Sequence, residues 1–294
     1  MHRIGIDIGG TQLRVALLDE GYRIVDLFKC ANDRSKEARE NCAALVSFIR
    51  AKQAEGIELA GIGIGSPGPL DMSAGKILSP PNLVGWDDFP IVEFFERECG
   101  LPAILNNDAN VAGLGEAVLG GGKGYESVIF VGLSTGFGGA YVFRGELING
   151  AHGNAAEYWN MIVNDDPGHH KNANPGSLNE QACGGGLERM ATERYGRPTS
   201  TKELFDRYYA DDKDAQEIID HGIEAFARGL ANIMCTFDPA VVVVGGSVAI
   251  YHPWYVEKAA ERARAYMVAP DTLNIQPAQF GDDAGLIGAA LLLS

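Results

Sequence analysis

The sequence predicts an α/β protein built from two halves. Strand-like and helix-like segments alternate along the chain. A strand, a glycine turn and a second strand at 4–15 recur at 127–143. The 294 residues also exceed a typical domain of about 100–200 residues. The recurrence reads equally as two related halves or as chance reuse of a common hairpin.

The elements follow in order. Ile4–Ile8, Leu13–Leu18 and Tyr22–Phe28 read as an antiparallel opening, with Asp19-Glu20-Gly21 as a turn. Ser35–Glu55 reads as a helix, because Ala38, Cys42, Leu45, Val46 and Ile49 share one face. Ile57–Ile64 is a strand, Ile91–Glu98 a helix and Ala103–Leu105 a strand. Asn110–Val118 is a helix ended by Gly120-Gly121-Gly122. Ser127–Leu133 and Ala140–Phe143 flank the glycine-rich stretch Ser134–Gly139. Residues 150–183 read as a long loop, and such a loop in a compact protein is usually functional. Asp214–Phe237, Trp254–Met267 and Ala284–Leu293 are helices, and Val241–Val244 is an apolar strand.

Composition excludes several classes. Hydrophobic residues at 46% suffice for a large core, which argues against disorder. A net charge of −15 argues against general nucleic-acid binding, which needs positive surface to displace counterions. No apolar run reaches the ~20 residues of a membrane span, and no signal peptide opens the chain. The five cysteines are widely spaced and form no C-x-x-C pair, so they read as free thiols of a cytoplasmic protein.

Three glycine motifs carry the chemistry. Asp7-Ile8-Gly9-Gly10-Thr11, followed by Gln12, sits at a strand end, where glycines let backbone N–H groups approach an anion. A carboxylate such as Asp7 beside phosphate implies magnesium. The alternative is a plain hairpin with a surface Asp. Ser134-Thr135-Gly136-Phe137-Gly138-Gly139 repeats the pattern, and the pair suits a triphosphate better than either turn alone. Neither turn is a Walker loop or a dinucleotide fingerprint. Gly245-Gly246-Ser247 suits close approach of an adenosine, or a simple strand exit. Asn106-Asn107-Asp108 opens a helix. It reads either as a cap or as a catalytic carboxylate beside a hydroxyl-binding Asn107.

Together these residues resemble the ROK family of sugar kinases and regulators, along essentially the whole chain. Asp7–Thr11, Ser66-Pro67-Gly68, Asn82-Leu83-Val84-Gly85-Trp86, Asn107-Asp108-Ala109-Asn110, Leu133–Gly139, Val244–Ser247 and Asp283–Ala289 match its motifs in order. The resemblance implies a two-domain actin-like ATPase (ribonuclease H-like) fold with a cleft. Domains are expected at 1–108 plus 284–294 and at 109–283. It implies an ATP- and magnesium-dependent sugar kinase with Asp108 as general base toward a sugar hydroxyl, usually the 6-hydroxyl. Asp7 would organise magnesium. Gly9, Gly10, Thr11, Gln12, Ser134, Thr135 and Gly136 would bind phosphates, and Gly245 and Gly246 adenosine. Ser66, Asn82, Asn107, Asp108, Glu157 and Glu180 would face the sugar. The resemblance further implies a homodimer or homotetramer, and the N-terminal DNA-binding module of the family's regulators is expected to be absent.

The chain departs from the family in one region. The motif E-x-G-H reads Glu157-Tyr158-Trp159-Asn160, and His170, Asn172 and Ser177 stand at the three zinc-binding cysteine positions. Only His170 is a good zinc ligand, and Asn160, Asn172 and Ser177 are poor ones, so no structural zinc is expected; His169-His170 reads as solvated loop. The second sugar-binding glutamate falls on Asn179, with Glu180 next to it as a substitute. Trp159 either stacks on a sugar or aglycone, or packs where zinc is missing. The pattern resembles a zinc-lacking branch that includes kinases of β-glucosides such as cellobiose, whereas the middle and C-terminal segments resemble glucokinases and N-acetylmannosamine kinases about equally, so the substrate stays open. A non-catalytic sugar-sensing protein is the alternative.

Overall fold

The computed structural model describes residues 1–168 and 173–294. His169, His170 and Asn172 therefore lie outside the described residues. The chain forms two compact units, Met1–Val118 with Asp282–Ser294, and Leu119–Gly281.

In the first unit, β1 (His2–Ile8), β2 (Gln12–Leu18) and β3 (Ile24–Ala31) precede helix α1 (Ala38–Ala54). Then come β4 (Leu59–Ser66), the short pair β5 (Leu70–Asp71) and β6 (Lys76–Ile77), α2 (Ile91–Cys99), β7 (Ala103–Asn107) and α3 (Asp108–Val118). The main sheet runs β3-β2-β1-β4-β7. The first three strands pair antiparallel, and β1, β4 and β7 pair parallel.

The alternation of isoleucine and glycine in this unit is a packing code. Strand side chains point to opposite faces in turn. Ile4, Ile6, Ile62 and Ile64 are fully buried with Cys42, Leu45 and Ile49 of α1 and Phe94 and Phe95 of α2. The intervening glycines face the C-terminal helix Ala284–Leu291. A Cβ on Gly63 would lie 1.7 Å from the Ala289 carbonyl oxygen, so backbone packs directly on backbone. The same helix packs on α3, where a Cβ on Gly288 would overlap the Val111 carbonyl. Helix α3 therefore belongs to the first unit, whereas the sequence reading ended that unit at Asp108.

The second unit opens with β8 (Ser127–Leu133), β9 (Phe137–Phe143) and β10 (Glu146–Leu147). Helices α4 (Leu178–Ala182), α5 (Gly184–Tyr195), α6 (Thr201–Tyr209) and α7 (Lys213–Phe237) follow. The unit closes with β11 (Val241–Gly245), α8 (Ser247–Tyr251), α9 (Pro253–Arg264) and β12 (Ile275–Pro277); Ala284–Leu291 is α10. Its sheet runs β10-β9-β8-β11-β12. Strands β8, β9 and β10 pair antiparallel, and β8, β11 and β12 parallel.

The two sheets thus share one order and one set of strand senses. The recurring hairpin occupies the same place in each, which favours related halves over chance. Two local expectations are corrected. Strand β9 begins at Phe137, because Phe137 is buried in the core and pairs with Leu133; the second glycine turn is only 134–136. Helices α4, α5 and α6 occupy 178–209, part of which the sequence reading left as loop and the rest unassigned.

Candidate active site

In the first unit, parallel strands bring their carboxyl ends to one edge, where open α/β sheets characteristically bind ligands. Asp7 on β1 pairs in register with Gly65 on β4, and Gly65 with Asn106 on β7. Asp108 follows directly as the first residue of α3. A Cβ on Gly65 would lie 3.8 Å from the Asp108 Cα and 2.7 Å from a Val111 methyl. Gly65 therefore stands between the two carboxylate-bearing segments, and its lack of a side chain lets the start of α3 pack on β4.

The cap reading of Asn106-Asn107-Asp108 holds structurally. Asn107 Oδ1 accepts the backbone N–H of Ala109 at 2.9 Å, and so caps α3. Asp108 stands at the positive end of the helix, half-buried, with Oδ1 accepting the Ala109 N–H at 2.8 Å. Ser66 pairs with Asn107 but is fully buried, with its Oγ 3.3 Å from the Pro67 carbonyl. Asn82 is exposed, and its carbonyl oxygen would lie 3.0 Å from a Cβ on Gly10. The first glycine turn and the 82–86 segment are therefore neighbours.

The first turn is closed by the Gly9 N–H donating to the Gln12 carbonyl at 2.9 Å. Asp7 is not a solitary carboxylate. Arg14, opposite it on β2, donates to Asp7 Oδ2 through Nε at 2.8 Å, and its Nη2 lies 2.7 Å from the same oxygen. The sequence reading missed Arg14.

In the second unit, the turn 134–136 is tied back by α5. The Gly184 and Gly185 N–H groups donate to the Ser134 and Thr135 carbonyls, each at 2.8 Å. In a planar trans peptide, a carbonyl and the next N–H point in opposite directions. Pinning those two carbonyls turns the N–H groups of Thr135 and Gly136 to the other side. Thr135 and Gly136 are exposed, so that side is open for an anion. Asn179 Oδ1 accepts the Phe137 N–H at 3.1 Å and completes the brace.

Gly246 sits beside this turn with φ +88°, and a Cβ there would lie 2.5 Å from the Leu133 carbonyl. Only glycine fits. Ser247 Oγ lies 3.0 Å from Ser134 Oγ, joining turn and helix α8. Alongside runs a groove of about 430 Å³ lined by Thr201, Lys202, Phe205, Ser247, Val248 and Tyr251. Its apolar wall includes Phe205, on which the His252 ring stacks at 3.5 Å. The groove's size, its apolar wall and the turn beside it fit a nucleoside with phosphates.

The divergent segment has its own framework. The Trp159 indole N–H donates to the exposed carboxylate of Glu157. Asn160, at the missing histidine, uses Oδ1 to accept the Asn174 N–H at 3.1 Å. The Val163 N–H donates to the Gly176 carbonyl at 2.9 Å and the Leu178 N–H to the Met161 carbonyl at 2.8 Å. Backbone pairing therefore holds the segment ends together. Among the described residues no cluster of three or more metal-binding side chains occurs. Glu180 differs from its expected part at the sugar. It is 1% exposed, and its Oε2 lies 3.4 Å from Arg189 Nε. A carboxylate so enclosed presents no oxygen to a dissolved sugar.

The sequence profile of the ROK family matches residues 3–294. The chain belongs to the ROK family. The crystal structure of a ROK hexokinase from Thermus thermophilus is 35% identical, with a TM-score of 0.92, covering 99% of this chain and 97% of that one. A ROK glucokinase from Streptomyces griseus, solved with glucose and AMPPNP, is 28% identical with a TM-score of 0.79, covering 99% of each chain. The N-acetylmannosamine kinase of Salmonella newport is 32% identical over 300 residues, 99% of this chain and 98% of the relative. The chain shares the actin-like ATPase fold of the ROK kinases. Among the described residues no helix is long and apolar enough to cross a membrane.

Proposed function

We propose that this ROK protein is an ATP-dependent sugar kinase with Asp108 as general base. The observation that carries the reading is the approach of the Asp7 and Asp108 segments on either side of Gly65. Alcohol phosphorylation needs both a phosphate-facing end and a base at the hydroxyl. Asp108 takes the proton of the sugar hydroxyl as that oxygen bonds to the γ-phosphorus and the bond to ADP breaks. The N–H of Ala109 at the start of α3 fixes the direction of the Asp108 carboxylate. Asn82, Asn107 and Glu157 bind sugar hydroxyls. Gly9, Gly10, Thr11, Gln12, Ser134, Thr135 and Gly136 bind phosphates, and Gly245, Gly246 and the 430 Å³ groove bind adenosine.

ATP use is supported by the Streptomyces griseus glucokinase with bound AMPPNP. Magnesium would supply charge neutralisation at the phosphates. Asp7, with Oδ2 already engaged by Arg14, suits an indirect part in holding it through the phosphates. The acceptor is a hexose, an amino sugar or a β-glucoside, phosphorylated at its 6-hydroxyl. The protein works in the cytoplasm as a homodimer or homotetramer, and light scattering after size exclusion tests the assembly.

The deciding experiment follows ADP release with glucose, fructose, mannose, N-acetylmannosamine, N-acetylglucosamine and cellobiose. The expected result is magnesium-dependent turnover with at least one. Sugar binding without turnover across the panel would instead establish a sugar sensor.

A further inference from the structure

Asn32 lies outside every motif discussed above, yet it touches the first glycine turn at two points. Its side-chain Nδ2 donates to the Gly9 carbonyl at 2.9 Å, and its backbone N–H donates to the Thr11 carbonyl at 3.0 Å. Its Oδ1 accepts the indole N–H of Trp86 at 3.3 Å. Asn32 is 8% exposed and Trp86 fully buried. The amide has one workable orientation. An indole only donates and a carbonyl only accepts, so Oδ1 must face Trp86 and Nδ2 must face Gly9.

The consequence follows from peptide planarity. Holding the Gly9 and Thr11 carbonyls toward Asn32 turns the N–H groups of Gly10 and Gln12 to the opposite side. The second unit reaches the same arrangement with the Gly184 and Gly185 amides of α5. The first unit has no helix end at that place and uses one side chain instead. We propose that Asn32, oriented by Trp86, is the positioning residue that presents the Gly10 and Gln12 amides to the phosphates of the nucleotide. This rests on the reading of the protein as an ATP-dependent kinase. Asn32 touches neither nucleotide nor sugar and acts through the turn.

The test measures dissociation constants of Mg·AMPPNP and of adenosine by calorimetry for wild type, Asn32→Ala, Asn32→Asp and Trp86→Phe. Asn32→Ala is expected to weaken Mg·AMPPNP about tenfold, the size of one or two lost hydrogen bonds, with adenosine within about twofold. Asn32→Asp keeps the shape but offers Gly9 an acceptor in place of a donor. It is expected to be at least as weak as Asn32→Ala, whereas a packing role would make it the milder variant. Trp86→Phe should weaken Mg·AMPPNP in the same direction by a smaller factor, and it decides the matter if the Asn32 variants do not fold. Equal weakening of adenosine, or Mg·AMPPNP affinities within about twofold of wild type, would overturn the proposal. A phosphate-confined loss in a protein that phosphorylates no sugar would remove the kinase reading and leave this assignment standing.

Discussion

Asp7 and Arg14 face each other across β1 and β2, and two nitrogens of Arg14 converge on Oδ2 of Asp7. The side chains are 18% and 14% exposed, so the pair is largely removed from water. The first glycine turn therefore begins at a neutralised carboxylate rather than a bare one. That removes most of the repulsion an isolated Asp7 would exert on phosphate.

Arg14→Met should unmask this charge. Breaking a part-buried ion pair at one partner is expected to cost about 2 kcal/mol, below the range for fully buried pairs. The KM for Mg·ATP should rise while the sugar KM stays nearly constant. Pairing it with Asp7→Asn should restore part of the stability and none of the turnover. Urea unfolding and steady-state kinetics of the single and double variants check both expectations.

Gly246→Ala places a Cβ against the Leu133 backbone at a positive φ. A non-glycine residue there is strained by about 1–2 kcal/mol before any overlap is counted. The expected outcome is a lower Tm and a raised KM for ATP, read by calorimetry and kinetics. An unchanged Tm would mean that the chain exit from β11 relaxes freely.

The 160–178 segment is expected to stand without zinc. Elemental analysis should find well under one zinc per chain, and EDTA should leave Tm unchanged. Asn160→Ala should cost about 1 kcal/mol through the lost Asn174 contact. Stoichiometric zinc would contradict this.

His221 gives a pH dependence. Burial holds its pKa below the ordinary 6.5, and its Nε2 lies 2.6 Å from the Gln181 Oε1. The unfolded chain therefore binds the proton more readily than the folded one. The stabilising contribution is complete above about pH 6.5 and is lost as pH falls through the depressed folded value. Unfolding midpoints between about pH 7 and 5 should fall less steeply in His221→Gln than in wild type.

The parts of this site legible in the sequence were those carried by local pattern. The two glycine turns, Gly245-Gly246 and Asn107-Asp108 each follow an apolar strand, and their chemistry needs only adjacent residues. Arg14 was not legible, because its role depends on register: it lies opposite Asp7 only once β1 and β2 pair. Asn32 follows β3 in a polar stretch, and only the return of the chain brings it to Gly9. Gly184-Gly185-Gly186 did carry a local signal. Three glycines opening a helix mark a close backbone approach, here to the 134–136 turn. Glu180 shows the opposite failure, where position along the chain suggested a sugar contact and side-chain burial against Arg189 removed it.

The central claim is that Asp108 is the base of a sugar kinase. Its most direct test measures kcat and sugar dissociation constant for Asp108→Asn, which keeps the shape of the side chain and removes the proton acceptor. With the sugar that the wild type phosphorylates, kcat should fall by about 10²–10⁴ while the sugar dissociation constant changes by less than about threefold. A kcat near that of the wild type would contradict the account.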